Sequence, residues 1–549
     1  MHRRAADGRL RSVAAAARTS GEARTGAVRA ALARAAGPAH RPADVVVRET
    51  HISHVFLVGD RAYKVKKSVV LPFLDFGTPE RRRAMCHEEV RINRRLAPDL
   101  YLGVRALAPC ADGLELVAEE DPRAVEYLVE MRRFDEACTL AARLARGELV
   151  QEQVIAVGRA LARFHAGARR VTLPGVPVLA VERRMAAECG QLLAAVEQRA
   201  EVGRVLDLER FAHAFITGHA TMLDARARHG LIREGHGDLR AEHVLLDGTV
   251  RVVDGIEFDP ALREVDVADD LAFLVMDLEA RDGYRFAATL VHAYRQAGGD
   301  PGDDALIAFY ATYRALVRAK VALLRAAQHP ISSAEHGHES ASARELLALA
   351  ERIAWRARLP LAIVICGLPA SGKSHLARTL AEASGLPHLS SDVTRKALAG
   401  VAPHRPAPRE AYRAAFDRRT YAELGRRAAR EVAAQGGVLI DATFRHRADR
   451  DAFAAAFDHA APLLFVECSA PPHVLARRAA RRDRGRTGAS DATLAVVMRE
   501  STGWEPLDEA APDAHLVLRS DRPVAALVAD LRALMDERVG RRGSPRTAA

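Results

Sequence analysis

The sequence lacks the two features that would place the chain in a membrane or in an oxidising compartment. No run of about 18 apolar residues occurs, although a helix that crosses a bilayer needs about 20. The cysteines are few and scattered, with no C-x-x-C pair: Cys86, Cys110, Cys138, Cys189, Cys366 and Cys468. Several lie inside apolar runs, as buried thiols do. We therefore expect no membrane span and a reducing, cytoplasmic compartment.

The body of the chain also lacks an excess of charge, although the net charge is +10. Residues 1–40 hold eight arginines against two acids, and residues 538–549 hold four arginines and no acid. We predict disordered basic tails over residues 1–41 and 538–549. The first of them also resembles a transit peptide, since it is rich in Arg and Ala. The neutral body between the tails argues against nucleic acid as a partner.

A phosphate-binding loop is predicted in the second half. The G-x-x-x-x-G-K-[ST] spacing is met by Gly367, Leu368, Pro369, Ala370, Ser371, Gly372, Lys373 and Ser374. An apolar run precedes the loop, and a helical pattern follows from His375. Backbone N–H groups in such a loop cradle phosphate oxygens at a helix N-terminus. Lys373 is then expected to reach the β- and γ-phosphates and Ser374 to ligate Mg²⁺, so Gly367 to His375 predict binding of ATP or GTP.

Two strand ends near this loop carry candidates for the chemistry. A short strand ending near Ser390 would place Asp392 and Arg395 at the carboxyl edge of a parallel sheet, where ligands bind in open α/β folds. Asp392 is a candidate to accept a proton from a substrate hydroxyl, although a plain helix N-cap explains it too. Arg395 is a candidate contact for substrate or γ-phosphate. A second apolar run ends in Asp441, which is typical of an acid that holds the water shell of Mg²⁺.

An arginine-dense helix is predicted over residues 472–483. Arg478 and Arg482 stand at i and i+4 on one face of it. P-loop kinases use such a lid to neutralise charge that builds on the γ-phosphate. A basic surface helix explains the same pattern.

The first half has no glycine-rich G-x-G-x-x-G loop of the kind that covers the ATP phosphates in kinases. Residues 50–54 occupy the corresponding place before Lys64. Strands on either side of a Gly-Asp turn at residues 59–60 predict a hairpin. Lys64 and Lys66 lie two apart on its second strand, so they face one side. The helix predicted over about residues 79–96 carries Glu89. A strand lysine and a helix glutamate hold ATP phosphates in kinases, although surface pairs of this kind are common.

A second pattern in the first half strengthens this interpretation. His236, Gly237 and Asp238 precede two short apolar strands, and the second strand ends in Asp254. Phosphoryl transfer to a hydroxyl needs one carboxylate beside that hydroxyl and others that hold Mg²⁺ against the phosphates. Asp238 fits the first role and Asp254 the second. Buried acids that pair with arginine are the alternative explanation.

These motifs resemble the aminoglycoside phosphotransferase and protein-kinase-like fold. The catalytic loop of that family reads H-G-D with Asn five residues after the Asp, and His243 stands at that position here. The resemblance implies that Lys64, Lys66 and Glu89 bind ATP, that Asp238 is catalytic, and that Asp254 and His243 hold metal. It also implies that an acid steadies the catalytic loop, for which Asp266 and Asp270 are candidates. A neutral imidazole suits Mg²⁺ less well than an oxygen ligand does.

The second half resembles small P-loop kinases of the gluconate kinase, zeta-toxin and polynucleotide kinase group. Together the halves resemble a bacterial family described as bifunctional aminoglycoside-phosphotransferase-like and P-loop ATP-binding proteins. The implied fold class is α/β and α+β multidomain. We expect a bilobal protein-kinase-like domain over residues 42–345, a connecting helix over 346–357, and a three-layer α/β/α P-loop kinase domain with a parallel sheet over 358–537.

The leading hypothesis is an ATP-dependent and Mg²⁺-dependent phosphotransferase with two kinase-like modules and a small-molecule acceptor. An alternative is that the N-terminal module is regulatory and no longer transfers phosphate. His243 and the missing glycine-rich loop suggest this alternative. A weaker alternative is phosphorylation of a polynucleotide 5′-hydroxyl. Neither half has a motif that names the acceptor, and the sequence does not indicate an oligomeric state.

Overall fold

A computed structural model describes residues 24–37, 39–50, 52–71, 74–172, 175–402, 404–485 and 504–541, without the side chains of residues 482–485. The chain divides into two units. The first consists of Met1–Leu173 with Arg226–Pro301, and the second of Pro174–Ala225 with Gly302–Ala549. Most of both predicted tails, residues 1–23 and 542–549, lies outside the described residues.

The described elements up to residue 301 alternate between strands and helices. They begin with a helix over residues 24–35 (α1) and continue with β1 (Val46–Glu49), β2 (Ser53–Val58), β3 (Arg61–Lys66), β4 (Val70–Leu71), β5 (Leu74–Asp75), α2 (Pro79–Asn93), β6 (Tyr101–Cys110), β7 (Gly113–Val117), β8 (Glu126–Arg132), α3 (Leu140–Ala145), α4 (Gln151–Gly167), α5 (Pro177–Ala195), α6 (Arg199–Gly218), α7 (Ala220–Arg228), β9 (Ile232–Glu234), β10 (Val244–Asp247), β11 (Thr249–Val252), α8 (Pro260–Arg263), β12 (Glu264–Asp266), α9 (Val267–Ala280) and α10 (Tyr284–Gln296).

The elements after residue 301 start with two long helices and then follow a strand–helix alternation. They are α11 (Asp304–Ala326), α12 (Ala334–Arg356), β13 (Leu361–Cys366), α13 (Lys373–Ser384), β14 (His388–Ser390), α14 (Ser391–Leu398), α15 (Ala414–Gln435), β15 (Gly437–Asp441), α16 (Arg447–Phe457), β16 (Leu463–Ser469), α17 (Pro472–Gly485), β17 (His515–Arg519) and α18 (Val524–Arg541).

The first unit contains an antiparallel six-stranded sheet in the order β1-β2-β3-β8-β6-β7. Residues of α1 pack on this sheet, and Val28 and Leu32 are buried in a core with Phe56 and Leu128. Cys86 and Val90 of α2 belong to a second core that includes Val129 of β8. The prediction of a disordered tail over residues 1–41 is therefore wrong for residues 24–35. The apolar positions of α1 recur at helical spacing, and the sheet covers them.

Two antiparallel strand pairs, β10 with β11 and β9 with β12, complete the first unit. The turn at residues 247–248 joins the first pair, which consists of the two short apolar strands predicted between Asp238 and Asp254. Leu245 of β10 and Val253 lie in the same core as α2. The two-part arrangement of a sheet with its helix and a second set of short strands confirms the predicted kinase-like fold class.

The second unit contains a parallel five-stranded sheet in the order β14-β15-β13-β16-β17. All six residues of the central strand β13 are buried. One face packs on α13 and α18 through residues such as Leu376 and Leu531, and the other packs on α15 and α16 through residues such as Leu424 and Phe453. Because both faces of the sheet are covered, the predicted three-layer α/β/α architecture is confirmed.

The boundary between the halves differs from the prediction. Helix α12 spans Ala334–Arg356 without a break, so the predicted division at residue 345 falls inside one helix. Helices α5, α6 and α11, which were expected in the first domain, belong to the second unit. Within this unit Arg358 donates to Asp536 of α18, and a Cβ on Gly218 of α6 would collide with the Val539 backbone oxygen. Close packing of α6 on α18 is a long-range contact that no local pattern encodes.

The cysteines and the helices bear on the compartment predictions. All six cysteines are free thiols, and Cys86, Cys189, Cys366 and Cys468 are buried. Among the described residues, none of the helices combines the length and the apolar character that crossing a bilayer requires.

Candidate active sites

The first candidate site lies in the first unit and is organised by Lys64. The Lys64 Nζ atom lies 2.6 Å from Asp254 Oδ1 and 2.8 Å from Glu89 Oε1. Burial alone would lower the pKa of Lys64, but Asp254 and Glu89 outweigh it and raise that pKa above its ordinary value. Lys64 in turn is the main cause of a lowered pKa at Asp254. The structure thus brings together the strand lysine, the helix glutamate and the predicted metal aspartate.

Lys66 reaches the same glutamate from deeper in the protein. Its Nζ lies 2.5 Å from Glu89 Oε2 and also bonds to Glu257, a residue that the sequence analysis did not single out. The side chain of Lys66 is fully buried, whereas that of Lys64 is 12% exposed. Lys66 therefore holds Glu89 in place from behind, and Lys64 is the lysine that faces the site.

Local sequence explains how Glu89 comes to face the sheet. Helix α2 begins at Pro79 after the N-cap Thr78, whose side chain accepts from the Arg81 N–H at 3.4 Å. Pro79 suits the first helical position because its missing N–H would have no helical partner there. The buried positions Cys86, Glu89, Val90 and Asn93 then recur every three or four residues. Glu89 is the one acid on this buried face of α2.

The predicted catalytic loop is held by Asp270 at the start of α9. Asp270 accepts the backbone N–H groups of His236 at 2.8 Å and Gly237 at 2.9 Å, and its carboxylate also contacts the His165 ring at 3.0 Å. Burial would raise the pKa of Asp270, but these partners lower it overall. Burial also lowers the pKa of His236 to about 4, so its ring is neutral near pH 7. Of the two predicted candidates, Asp270 steadies the loop, whereas Asp266 pairs with Arg226.

The carboxylate of Asp238 is gripped by Arg240, two residues further along the loop. Arg240 Nε donates to Asp238 Oδ1 and Arg240 Nη2 to Asp238 Oδ2, each at 2.9 Å. The same guanidinium contacts Glu242, and its Nη2 lies 3.1 Å from His243 Nε2. His243 Nδ1 lies 2.8 Å from the Asp238 backbone oxygen. The predicted metal ligand His243 is therefore engaged through both ring nitrogens, which does not support that role.

Asp254 is held in an uncommon backbone conformation that presents its carboxylate to the site. Its φ is 64°, and its N–H donates to the Tyr101 hydroxyl at 3.1 Å. The next N–H, that of Gly255, donates to Asn93 Oδ1 at 2.8 Å. Left-handed backbone at a non-glycine residue persists only where neighbours fix it. The half-exposed Asp254 carboxylate fits one divalent ion, since carboxylate oxygen is a ligand that Mg²⁺ prefers.

The second candidate site is the P-loop of the second unit. Gly367, Ala370 and Gly372 have positive φ values of 131°, 66° and 98°. A Cβ on Gly367 would meet the Cys468 backbone oxygen at 2.5 Å, so glycine is required there. Helix α13 begins at Lys373, and its first N–H groups have no acceptor within the helix. The left-handed residues and the helix N-terminus together form a concave anion site.

The residues of the loop differ in their exposure. Pro369, Ala370 and Ser371 are buried, Leu368, Gly372, Lys373 and Ser374 are half-buried, and His375 is exposed. Lys373 and Ser374 are thus placed in the first turn of α13, as the motif predicts. The exposed His375 belongs to the helix surface rather than to the concave side of the loop.

Asp441 supplies the carboxylate that a bound metal would need. It ends β15, where the strand register pairs it with Ile365 of β13 and Ser390 of β14. Its side chain is 5% exposed, and among the described residues its Oδ1 has no hydrogen-bond partner. Its Oδ2 lies 3.9 Å from His388 Nε2. A buried carboxylate oxygen without a partner beside a phosphate loop fits the water shell of Mg²⁺.

Groups of three or more metal-ligating side chains are absent among the described residues. Mg²⁺ at a nucleotide site is held by one or two side chains, while phosphates and water supply the other ligands. Asp254 in the first unit, and Ser374 with Asp441 in the second, meet that requirement.

The predicted pair Asp392 and Arg395 is only partly placed as expected. Both lie in α14, directly after β14, at the carboxyl edge of the sheet. Arg395 is buried and donates to the Ala411 backbone oxygen at 2.6 Å and to Asp417, and its guanidinium lies 5.0 Å from the centre of the Tyr412 ring. It therefore anchors the segment that leads into α15, and a direct role on substrate or γ-phosphate is not supported.

The predicted lid arginines also need correction. Arg478 donates to the Ser371 backbone oxygen at 3.1 Å and to the Ser520 backbone oxygen at 2.6 Å. It thus fastens the P-loop to the end of β17 and is not poised as a lid residue over the γ-phosphate. The side chain of Arg482 lies outside the described residues.

Comparison with known proteins matches both halves. A family model described as an AAA domain matches residues 363–507, the part that contains the P-loop and Asp441. The uncharacterized protein Rv2004c of Mycobacterium tuberculosis is 33% identical over 480 residues, which cover 85% of this chain and 92% of that protein. The uncharacterized protein Mb2027c of Mycobacterium bovis matches with the same values. The chain belongs to the family of these mycobacterial proteins.

Solved structures with similarity fall into two groups, one for each half. A gluconokinase from Sinorhizobium meliloti is 23% identical with a TM-score of 0.24, and the match covers 33% of this chain and 93% of that one. A choline/ethanolamine kinase family protein from Mesorhizobium loti is 14% identical with a TM-score of 0.35, and the match covers 56% of this chain and 88% of that one. The family model agrees with the P-loop predicted in the second half, and the sheet orders of the two units agree with the predicted division into two folds.

Several residues of the sites were missed by the sequence analysis. Glu257, Asn93, Tyr101 and Arg240 all act through contacts that join distant segments or adjust a loop. A compositional signal supports the lysines that the sequence analysis did name, because only six of the 81 lysines and arginines are lysine. Lys64, Lys66 and Lys373 are half of that set. A compact ammonium group differs from a guanidinium fork, so a lysine in an arginine-rich chain indicates a site that needs a point charge.

Proposed function

We propose that the protein is an ATP-dependent phosphotransferase with two kinase-like modules, each moving the γ-phosphate of ATP to a hydroxyl of a small-molecule acceptor. The observation that carries the proposal is Asp441 Oδ1, a buried carboxylate oxygen without a partner among the described residues, at the strand end beside the P-loop. An acid that only stabilised the fold would be expected to use both oxygens.

The residues of the C-terminal module have distinct roles in this proposal. N–H groups of the P-loop and the Lys373 ammonium hold the phosphates, and Arg478 fixes the loop from behind. Mg²⁺, when bound, supplies positive charge against the phosphate oxygens, and Ser374 and Asp441 are the residues that would hold it. The acceptor oxygen forms a bond to the γ-phosphorus, the bond to the ADP oxygen breaks, and Asp392 takes the hydroxyl proton.

The N-terminal module is supported by the assembled Lys64, Glu89 and Asp254 contacts. Active protein kinases require an ion pair between a strand lysine and a helix glutamate, together with an aspartate that holds Mg²⁺. Here Lys64 contacts both Glu89 and Asp254, which brings the three groups together. Asp238 orients the acceptor hydroxyl, and Asp270 holds the loop that carries it. Asp254 is the residue that would hold Mg²⁺ in this module.

A second candidate is that the N-terminal module binds ATP as a regulator without transferring phosphate. The contact between Arg240 and Asp238 favours it, because a carboxylate held by a guanidinium at 2.9 Å through both oxygens is a weaker proton acceptor. The two candidates differ in whether Asp238 contributes to any labelled product.

We also propose that the protein works in the cytoplasm. The free thiols of Cys86, Cys189, Cys366 and Cys468 are buried, as structural thiols of a reducing compartment are.

Equilibrium binding of a non-hydrolysable ATP analogue with Mg²⁺ tests the nucleotide sites. We expect two sites per chain, of which Lys373→Ala removes one and Lys64→Ala the other. Arg430→Ala, which changes an exposed arginine of α15, is the control and leaves both sites in place. Binding that stays at two sites in Lys373→Ala would refute the C-terminal assignment, and binding that stays at two in Lys64→Ala would refute the N-terminal one.

A further inference from the structure

The position that holds a second divalent ion in protein kinases does not fit such an ion here. In those kinases the second ion is held by an Asn of the catalytic loop. His243 takes that position in this chain. Its Nδ1 lies 2.8 Å from the Asp238 backbone oxygen, and a carbonyl oxygen only accepts hydrogen bonds. Nδ1 is therefore the protonated nitrogen, which leaves the lone pair on Nε2.

That lone pair is already used. Arg240 Nη2 lies 3.1 Å from His243 Nε2, and a guanidinium nitrogen only donates. Both oxygens of the Asp238 carboxylate are taken by the same guanidinium at 2.9 Å. The donor set that would surround a second ion is thus turned toward Arg240. The positive charge of the Arg240 guanidinium therefore lies beside Asp238 and Glu242, acids that a second ion would otherwise neutralise.

The surroundings keep the guanidinium in this position. The Arg240 side chain is 10% exposed, and it also pairs with Glu242. His243 Nε2, which contacts Arg240, also lies 3.8 Å from Oδ2 of Asp254, the carboxylate that fits the first ion. A second divalent cation would have to displace a paired arginine and stand beside another ion. Two positive ions held side by side in a partly buried site repel each other strongly.

We propose that Arg240 takes the place of the second divalent ion, so that the N-terminal module works with a single ion at Asp254. This inference rests on the proposed function, since it assigns the charge that the module brings to the phosphates of ATP. It also gives a reason for His243, because an imidazole with its lone pair on Nε2 accepts from Arg240. The amide of an asparagine would offer its oxygen to a metal instead.

The test measures the number of divalent ions bound per chain and does not depend on activity. The parent for this test is the full-length chain with Lys373→Ala and Ser374→Ala, which lacks two functional side chains of the C-terminal P-loop. This parent is titrated with Mn²⁺ in the presence of a non-hydrolysable ATP analogue. We expect one Mn²⁺ per chain and an electron paramagnetic resonance spectrum without spin–spin coupling. Adding Arg240→Ala and His243→Asn to this chain is expected to raise the count to two, with coupling between the two ions. Arg123→Ala, at an exposed arginine paired with Asp121 and Glu115, is the control and leaves the count at one.

Two coupled Mn²⁺ ions in the chain with native Arg240 and His243 would overturn the inference and leave the proposed function standing. A count that stays at one after Arg240→Ala and His243→Asn, in a chain that melts at the temperature of its parent, would overturn it as well. No Mn²⁺ and no nucleotide in the parent chain would remove the N-terminal kinase assignment and the inference together. The Mn²⁺ count of the parent chain needs no change at Arg240 or His243. It therefore tests the inference even if the added substitutions unfold the protein.

Discussion

The Lys64 ammonium lies 2.6 Å from the Asp254 carboxylate, and this contact joins a strand of the six-stranded sheet to the end of the β10–β11 hairpin. The two residues are 190 positions apart in the chain. Their contact brings the proposed phosphate-binding lysine and the proposed metal acid of the N-terminal module to one place.

Lys64 and Lys66 are expected to respond differently to the same substitution. Lys66→Met leaves Glu257 buried without its cation and leaves Glu89 with Lys64 alone, so we expect the free energy of unfolding to fall by about 3–5 kcal/mol. Lys64→Met removes the lysine that faces the site, and we expect phosphate transfer by this module to fall about 10²–10³-fold with a smaller loss of stability. Urea unfolding and transfer assays on both variants check this. Equal losses of stability would show that Lys64 is as structural as Lys66.

Arg478→Ala is expected to weaken ATP binding in the C-terminal module. The substitution removes the guanidinium donors to the Ser371 and Ser520 backbone oxygens, so the P-loop keeps only the Ser520 hydroxyl as a side-chain donor to Ser371. We expect the KM for ATP to rise about 10-fold, which corresponds to about 1.4 kcal/mol. Steady-state kinetics checks this, with the exposed neighbour Arg477→Ala as control. A fall in kcat with KM unchanged would instead support a lid role on the transition state.

Gly367→Ala is expected to damage the P-loop through backbone geometry alone. The residue has a φ of 131°, and its Cβ would collide with the Cys468 backbone oxygen. Such strain costs about 1–3 kcal/mol, and the collision adds to it. We therefore expect lower stability and loss of nucleotide binding at this site. Gly190→Ala is the matched control, since nothing lies within 4 Å of its added Cβ and helix α5 gains about 0.5–1 kcal/mol. Thermal unfolding that is the same for both variants would contradict this.

The stability of the first unit is expected to fall below neutral pH through His236. Burial lowers its folded-state pKa from 6.5 to about 4, so between these values the unfolded chain binds a proton that the folded chain does not. The contribution is complete above about pH 6.5 and is lost as the pH falls toward 4, by at most about 3 kcal/mol. Urea unfolding from pH 4.5 to 7 checks this. The slope should be shallower in His236→Gln, and an unchanged slope would show that His236 is not the titrating group.

Local motifs were predicted well because each is specified by a few adjacent residues. The P-loop depends on glycine spacing between a strand and a helix, and the structure places Gly367, Lys373 and Ser374 accordingly. The hairpin before Asp254 follows from the turn at residues 247–248. The parallel arrangement of the second unit follows from the alternation of apolar strands and helices.

Residues whose role depends on distant partners were not predictable in the same way. Arg395 stands three positions after Asp392, yet its guanidinium bonds to Asp417, which only the packing of α14 on α15 brings close. The same holds for Arg478, whose acceptors lie 107 and 42 positions away. Helix amphipathicity indicates which side is buried, but it does not identify the neighbour. The domain boundary failed for this reason, since α6 and α12 pack with the helices of the second unit.

Transfer of label from γ-labelled ATP with Mg²⁺ into a pooled metabolite extract tests the two-module proposal most directly. The comparison is between wild type, Lys373→Ala and Asp238→Ala. We predict that each variant loses a different labelled product, since each module has its own acceptor site. Loss that follows Lys373 alone would support the second candidate, a regulatory N-terminal module. Labelled products that persist unchanged in both variants would contradict the assignment of phosphate transfer to these two sites.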